Sequence, residues 1–139
     1  MAGPILVGVD SSETARAAAA VAAQLAKALG RTLRVVTAYD RDEVEELRVG
    51  SDVFRVSSEE EAQRTASQVA SEVASDLAVE TGALVGKPAD AIVAEAERVE
   101  ASLIVVGNRR MQGVSRVLGS IANSVSHHAP CDVYIVKTT

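Results

Sequence analysis

The sequence predicts an α/β fold: a single doubly wound sheet of five parallel strands, in the order 3-2-1-4-5, with helices on both faces. Two observations lead to the class, while the order is an expectation that they do not themselves fix. Short β-branched apolar runs alternate along the chain with segments whose apolar residues recur three and four positions apart, and strands joined by helical crossovers run parallel with right-handed connections. The length of 139 residues fits one domain spanning 1–139, since domains cluster near about 100–150 residues.

The first strand is read at Ile5–Val9. Helix one carries Ala15, Ala18, Ala19, Ala22, Leu25, Ala26 and Leu29 on one face; its alanines let the helix approach a sheet closely. Ser11 or Ser12 caps its start and Gly30 stops it. The second strand is Leu33–Ala38. Arg41–Val56 then joins it to helix two with no obvious periodicity, a long connection for an α/β unit. It reads as a lid, as a mobile surface loop, or as an extra helical turn in which Val44 and Leu47 pack locally. Helix two opens on a capping box, Ser57 with Glu60, and continues through Ala62, Ala66, Val69, Ala70, Val73 and Leu77. A weaker third strand, Val79–Val85, precedes helix three, where Pro88 suits the first helical position and Ile92, Val93, Ala96 and Val99 make the buried face. Leu103–Val106 is the fourth strand. Helix four begins near Gly119-Ser120 and ends before Pro130, and Val133–Val136 closes the sheet as an edge strand.

Composition excludes several functions. Hydrophobic residues make up 47% but aromatic residues only 2%, so the core is aliphatic and no aromatic platform exists for stacking single-stranded nucleic acid. With 14 basic and 19 acidic residues the net charge is −5, whereas a binder of phosphate backbones is basic. A single cysteine, Cys131, closes no intrachain disulfide and suits a reducing compartment. The start lacks a basic leader, and no apolar run approaches about 18 residues. The expectation is a soluble, cytoplasmic protein without membrane or nucleic-acid partners.

In the order 3-2-1-4-5 the winding reverses between strands one and four, and ligands bind at such switch points. The turns leaving those strands are Asp10-Ser11-Ser12 and Gly107-Asn108-Arg109-Arg110. Gly107, Gly113 and Gly119 follow at intervals of six, between a strand and a helix. Glycine admits positive φ and close approach of backbone to ligand, and a helix N-terminus offers unpaired N–H groups, so phosphate is the natural guest. Ser120 adds a hydroxyl donor, and Arg109, Arg110 and Arg116 supply positive charge. The competing reading is a glycine-rich turn whose arginines face water. Asp10 likewise reads as a ligand contact, as a helix cap, or as both; Ala38 and Val106 are in any case buried strand residues.

Other constellations fail on spacing. Gly86-Lys87 is followed by Pro88 and preceded at five positions by Thr81, so it is no P-loop. No Gly-x-Gly-x-x-Gly follows the first strand. A receiver domain needs an aspartate after strand three, where this chain reads Ala83-Leu84-Val85-Gly86. Cys131 precedes an apolar strand and reads as a small packed residue rather than a nucleophile, while His127 and His128 read as C-terminal caps of helix four.

Taken together, Ile5-Leu-Val-Gly-Val-Asp-Ser-Ser12, Gly86-Lys-Pro88, Val105–Ser120 and His128-Ala-Pro-Cys-Asp-Val133 resemble the universal stress protein family over essentially the whole chain. The resemblance implies a Rossmann-like, adenine nucleotide alpha hydrolase-like fold and a stress-response sensor or regulator. It also implies an adenine nucleotide as ligand (ATP, AMP or cyclic AMP), with or without Mg, and needed for no part of folding. By the same resemblance Asp10 and Ser11 lie beside the nucleotide, and Ala38 offers backbone groups to adenine. Val106 lines the base pocket, and Gly107, Asn108, Arg110, Gly113, Gly119, Ser120 and Ile121 form the phosphate side. The nucleotide-binding branch uses Gly-x2-Gly-x9-Gly-Ser/Thr. Here Gly107 and Gly119-Ser120 match, but Arg110 replaces the second glycine and only eight residues, Met111 to Leu118, follow it. That change bears most on a triphosphate and least on a monophosphate or cyclic nucleotide. The resemblance further implies a homodimer through the last strand, Asp132 to Thr138. It implies no catalytic residues and no activity beyond weak ATP hydrolysis. The alternative is a dimeric interaction protein that binds no nucleotide.

Overall fold

The computed structural model describes residues 3–40, 44–49, 52–74, 76–109 and 119–138. The elements run β1 (Ile5–Gly8), α1 (Glu13–Leu29), β2 (Leu33–Tyr39), β3 (Val44–Val49), β4 (Asp52–Ser57), α2 (Ser58–Val73), β5 (Val79–Val85), α3 (Pro88–Arg98), β6 (Leu103–Arg109), α4 (Ser120–His128) and β7 (Asp132–Thr138). The main sheet has the order β5-β2-β1-β6-β7, and all its pairings are parallel. Counting only these five strands, that is 3-2-1-4-5. Among the described residues no helix is long and apolar enough to cross a membrane.

Two apolar layers sandwich the sheet. Ile5, Val7, Leu33, Val35 and Val105 face the alanines of α1 together with Ala66, Val69 and Ala70 of α2. On the other face, Leu6, Val36, Ile104 and Val106 pack with Ile92 and Ala96 of α3 and with Ala122 and Val125 of α4. Full burial of a Val, Leu or Ile side chain contributes about 1.5–3 kcal/mol, so the central strands, apolar on both faces, are the most strongly held elements.

Local signals in the sequence account for the helix ends. Ser12 caps α1 by accepting from the Ala15 N–H, and Gly30 ends the helix in the left-handed conformation, φ 67°. Pro88 opens α3. In α4 the imidazole Nδ1 of His128 meets the Ser124 carbonyl oxygen at 2.8 Å. Helix α2 stops at Val73, short of Leu77, which nevertheless packs against the α1 layer; Asp76, at φ 57°, lies in the turn between them.

Of the three sequence readings of the connection after β2, the extra helical turn is excluded. The connection contains an antiparallel hairpin, β3 with β4, in the register Val44↔Ser57 to Val49↔Asp52. The overlooked signal is the Gly50-Ser51 dipeptide, a pair that suits a two-residue hairpin turn.

Candidate functional site

A cleft of about 440 Å³ opens above the carboxyl ends of β1, β2 and β6. Its position follows from topology: α1 leaves β1 on one side of the sheet and α4 leaves β6 on the other, so the two turns separate there. Gly8, Val9 and Asp10 come from the end of β1, Ala38 from β2, and Val106 and Gly107 from β6. Helix α1 contributes Ser12, Thr14 and Ala15, α3 contributes Pro88 and Ile92, and α4 contributes Gly119, Ser120, Ile121 and Ala122. Three helix N-termini therefore meet at one opening, and N-termini carry partial positive charge.

The walls differ in chemistry. Ala38, Ile92, Val106 and Pro88 make an apolar part, and Gly8 at its base is tight, since a Cβ there would sit 2.4 Å from Cδ1 of Ile92. The opposite part is polar. In α4 the N–H groups of Ser120, Ile121 and Ala122 have no carbonyl one turn back within the helix, and all three residues line the cleft. Asp10 is the one ionisable side chain among the described lining residues. Its Oδ1 accepts from the Ser12 N–H at 2.8 Å, so the carboxylate is held by the turn while Ser12 itself caps α1.

Of the residues singled out in the sequence, Asp10, Ala38, Val106, Gly107, Gly119, Ser120 and Ile121 are brought together in this lining. Ser11 is exposed and does not line the cleft; its carbonyl oxygen accepts from Arg16 at 2.6 Å. Asn108 stands just behind the lining, where its Oδ1 accepts from the Gly119 N–H at 2.7 Å and its carbonyl accepts from Thr138 Oγ1 at 2.7 Å. Arg110 and Gly113, with Arg116, lie outside the described residues. Thr14, Pro88 and Ile92 were missed as site residues, because their sequence signals of helix start and apolar stripe are the same whether or not a cleft opens beside them.

The glycines need correcting in one respect. Neither Gly107 nor Gly119 adopts left-handed backbone; positive φ is confined to Gly30 and Gly86 among the described glycines. Gly107 is small because α1 crosses it: a Cβ would lie 3.2 Å from Thr14 Cγ2 and 3.3 Å from the Thr14 carbonyl oxygen. Gly119 is extended, φ −60° and ψ 161°.

Among the described residues no group of three or more His, Cys, Asp or Glu side chains is placed to hold a metal ion. The Cys131 thiol is pushed up from its ordinary value by burial first and by the neighbouring Asp132 charge second, the opposite of what a thiolate nucleophile requires.

A family model described as the universal stress protein family matches residues 1–137. A universal stress protein from Thermus aquaticus is 37% identical over 136 residues, which cover 96% of this chain and 97% of the relative. Among solved structures, a universal stress protein in complex with cAMP matches with a TM-score of 0.71 at 30% identity, covering 100% of each chain. Another, from Archaeoglobus fulgidus in complex with dAMP, matches with a TM-score of 0.65 at 26% identity, over 97% of this chain and 98% of that one.

Proposed function

The chain belongs to the universal stress protein family, and from that premise we propose that it binds an adenine nucleotide carrying a single phosphate, AMP or cyclic AMP, and works as a dimeric stress-response sensor or regulator. The observation that carries the reading is one cleft with an apolar wall at one end and the N-terminus of α4 at the other. The base packs against Ala38, Val106, Ile92 and Pro88, where burial of apolar surface favours it. The phosphate sits at the N–H groups of Ser120 to Ala122, where the helix dipole and unpaired donors favour an anion. Asp10 accepts from ribose hydroxyls. Relatives bound to cAMP and dAMP support the same ligand class.

The loop after β6 selects among nucleotides. Arg110 stands where the nucleotide-binding branch has its second glycine, and the loop between it and Gly119 is shorter than in that branch. That change bears most on the longer phosphate chain of a triphosphate, with or without Mg²⁺, and least on a monophosphate or cyclic diester. The reading is binding rather than turnover, since acid–base chemistry calls for a second positioned group and the described lining offers Asp10 alone.

Titration of nucleotide-free protein with AMP, cyclic AMP and ATP, without and with Mg²⁺, tests the reading. The expected result is binding of AMP or cyclic AMP at least about tenfold tighter than ATP without Mg²⁺, a difference of ~1.4 kcal/mol. The Gly119→Val variant is expected to keep its melting temperature, because the backbone there is extended and among the described residues a Cβ meets only Asn108 Oδ1, at 3.4 Å. It is also expected to lose most of its affinity. Tighter ATP binding without Mg²⁺ would overturn the selectivity, and no binding of any of the three would overturn the function.

A further inference from the structure

The turn that carries Asp10 is held from outside the cleft. Arg16, in the first turns of α1, places Nε 2.7 Å from Oε2 of Glu72, near the end of α2, and Nη1 2.6 Å from the Ser11 carbonyl oxygen. Ser11 lies between Asp10, which lines the cleft, and Ser12, which lines it and caps α1. Within the turn the Ser12 N–H is given to Asp10 Oδ1, and the Ser12 carbonyl accepts from the Arg16 N–H at 3.2 Å. The Ser11 carbonyl precedes the helix and has no place in its ladder, so the guanidinium supplies its partner.

The position of Arg16 argues for such a task. A cation near the positive end of a helix is opposed by the dipole, and a half-exposed ion pair taken alone contributes little. Here one planar guanidinium is used on two edges, the carboxylate fixing its orientation and the remaining nitrogen reaching the backbone, as the fork geometry of arginine allows. The pairing also holds the Glu72 carboxyl below the usual carboxylate range, consistent with an ion pair formed at neutral pH.

We propose that Arg16 is a positioning residue of the cleft: anchored on Glu72, it clamps the Ser11 carbonyl and so fixes the Asp10–Ser12 turn against which a ligand binds. Its effect on affinity rests on the nucleotide reading above; its effect on the turn does not.

Two readouts on the full chain separate these. Amide hydrogen exchange at Ser12 reports the turn without any ligand, and AMP titration reports the cleft. In Arg16→Ala, Ser12 exchange is expected to accelerate at least about threefold and AMP affinity to fall about three- to tenfold, the scale of one ordinary net hydrogen bond. The double variant Arg16→Glu with Glu72→Arg restores an ion pair between the helices but sets a carboxylate beside the Ser11 carbonyl. It is expected to recover the melting temperature and neither of the other two properties. Unchanged Ser12 exchange in Arg16→Ala overturns the clamp, and recovery of AMP affinity in the double variant reduces Arg16 to an interhelical ion pair and overturns the proposal. If the wild-type protein binds no AMP while Ser12 exchange accelerates in the variant, the nucleotide reading falls and the clamp stands.

Discussion

Glu95 is the most demanding residue of the fold. It is 5% exposed on α3, yet its two carboxylate oxygens accept from Arg98 Nε and Nη2, each at 2.7 Å, and from Arg34 Nε at 2.6 Å. Arg34 in turn fills the space that a side chain at Gly82 would need. A buried charge survives only when paired and hydrogen-bonded, and the Arg98 bonds, with those of Arg34, hold the Glu95 carboxyl below the usual carboxylate range against the opposing effect of burial. Because the folded pKa is depressed, the stabilisation is complete above the unfolded glutamate value, about 4.3, and is lost as pH falls through the folded value. Glu95→Gln is expected to cost about 1–3 kcal/mol at neutral pH, with the gap to wild type narrowing below about pH 4. Thermal melts across that range check it, and a gap that stays constant contradicts it. The apolar stripe Ile92, Val93 and Ala96 on the same helix is legible in sequence as a periodicity. Glu95 is not, since Arg34 stands 61 positions away and only the fold brings them together. The same limit applies at the cleft, where Asp10 and Gly119-Ser120 announce themselves by residue type, while Arg16 and Glu72 look like ordinary charges on solvated helix faces.

At the scale of elements, strands with β-branched runs and helices with caps were readable because each signal is local: Ser12 and Gly30 for α1, Pro88 for α3, Gly119-Ser120 for α4. The β3–β4 hairpin was not read, because the stretch from 41 to 56 mixes charged and apolar residues without a strict alternation and its one turn signal is a single dipeptide. The sheet ends in β7, which pairs with β6 on one side only and carries Tyr134, 46% exposed. Unpaired strand edges with apolar side chains favour association, and a two-fold axis pairs such an edge with itself. The proposed homodimer through Asp132 to Thr138 predicts twice the chain's mass in sedimentation equilibrium at micromolar concentration. A single-chain mass under those conditions contradicts it. Asn108 gives this edge a physical link to the cleft, since it accepts from Thr138 of β7 through its carbonyl and from Gly119 of α4 through its side chain.

Across the whole molecule, strand order is what makes a site from unremarkable parts. Reversal of winding between β1 and β6 brings three helix N-termini to one opening, and each offers an anion unpaired N–H groups with partial positive charge on a chain whose overall charge is −5. The alternation of strand and helix implies a parallel doubly wound sheet, and with the order 3-2-1-4-5 taken for it, which the structure shows, the place of the cleft was legible before its lining was. The lining was legible only in part, because Ile92 and Thr14 enter it through packing that no short motif records. The most direct measurement is the mapping of amide shifts on adding AMP to isotopically labelled protein. The account predicts that the shifts centre on Ser120, Ile121 and the Asp10 turn and leave Leu29 and Val79, far from the carboxyl ends of the strands, unchanged. Shifts centred elsewhere, or none at millimolar AMP, would contradict it.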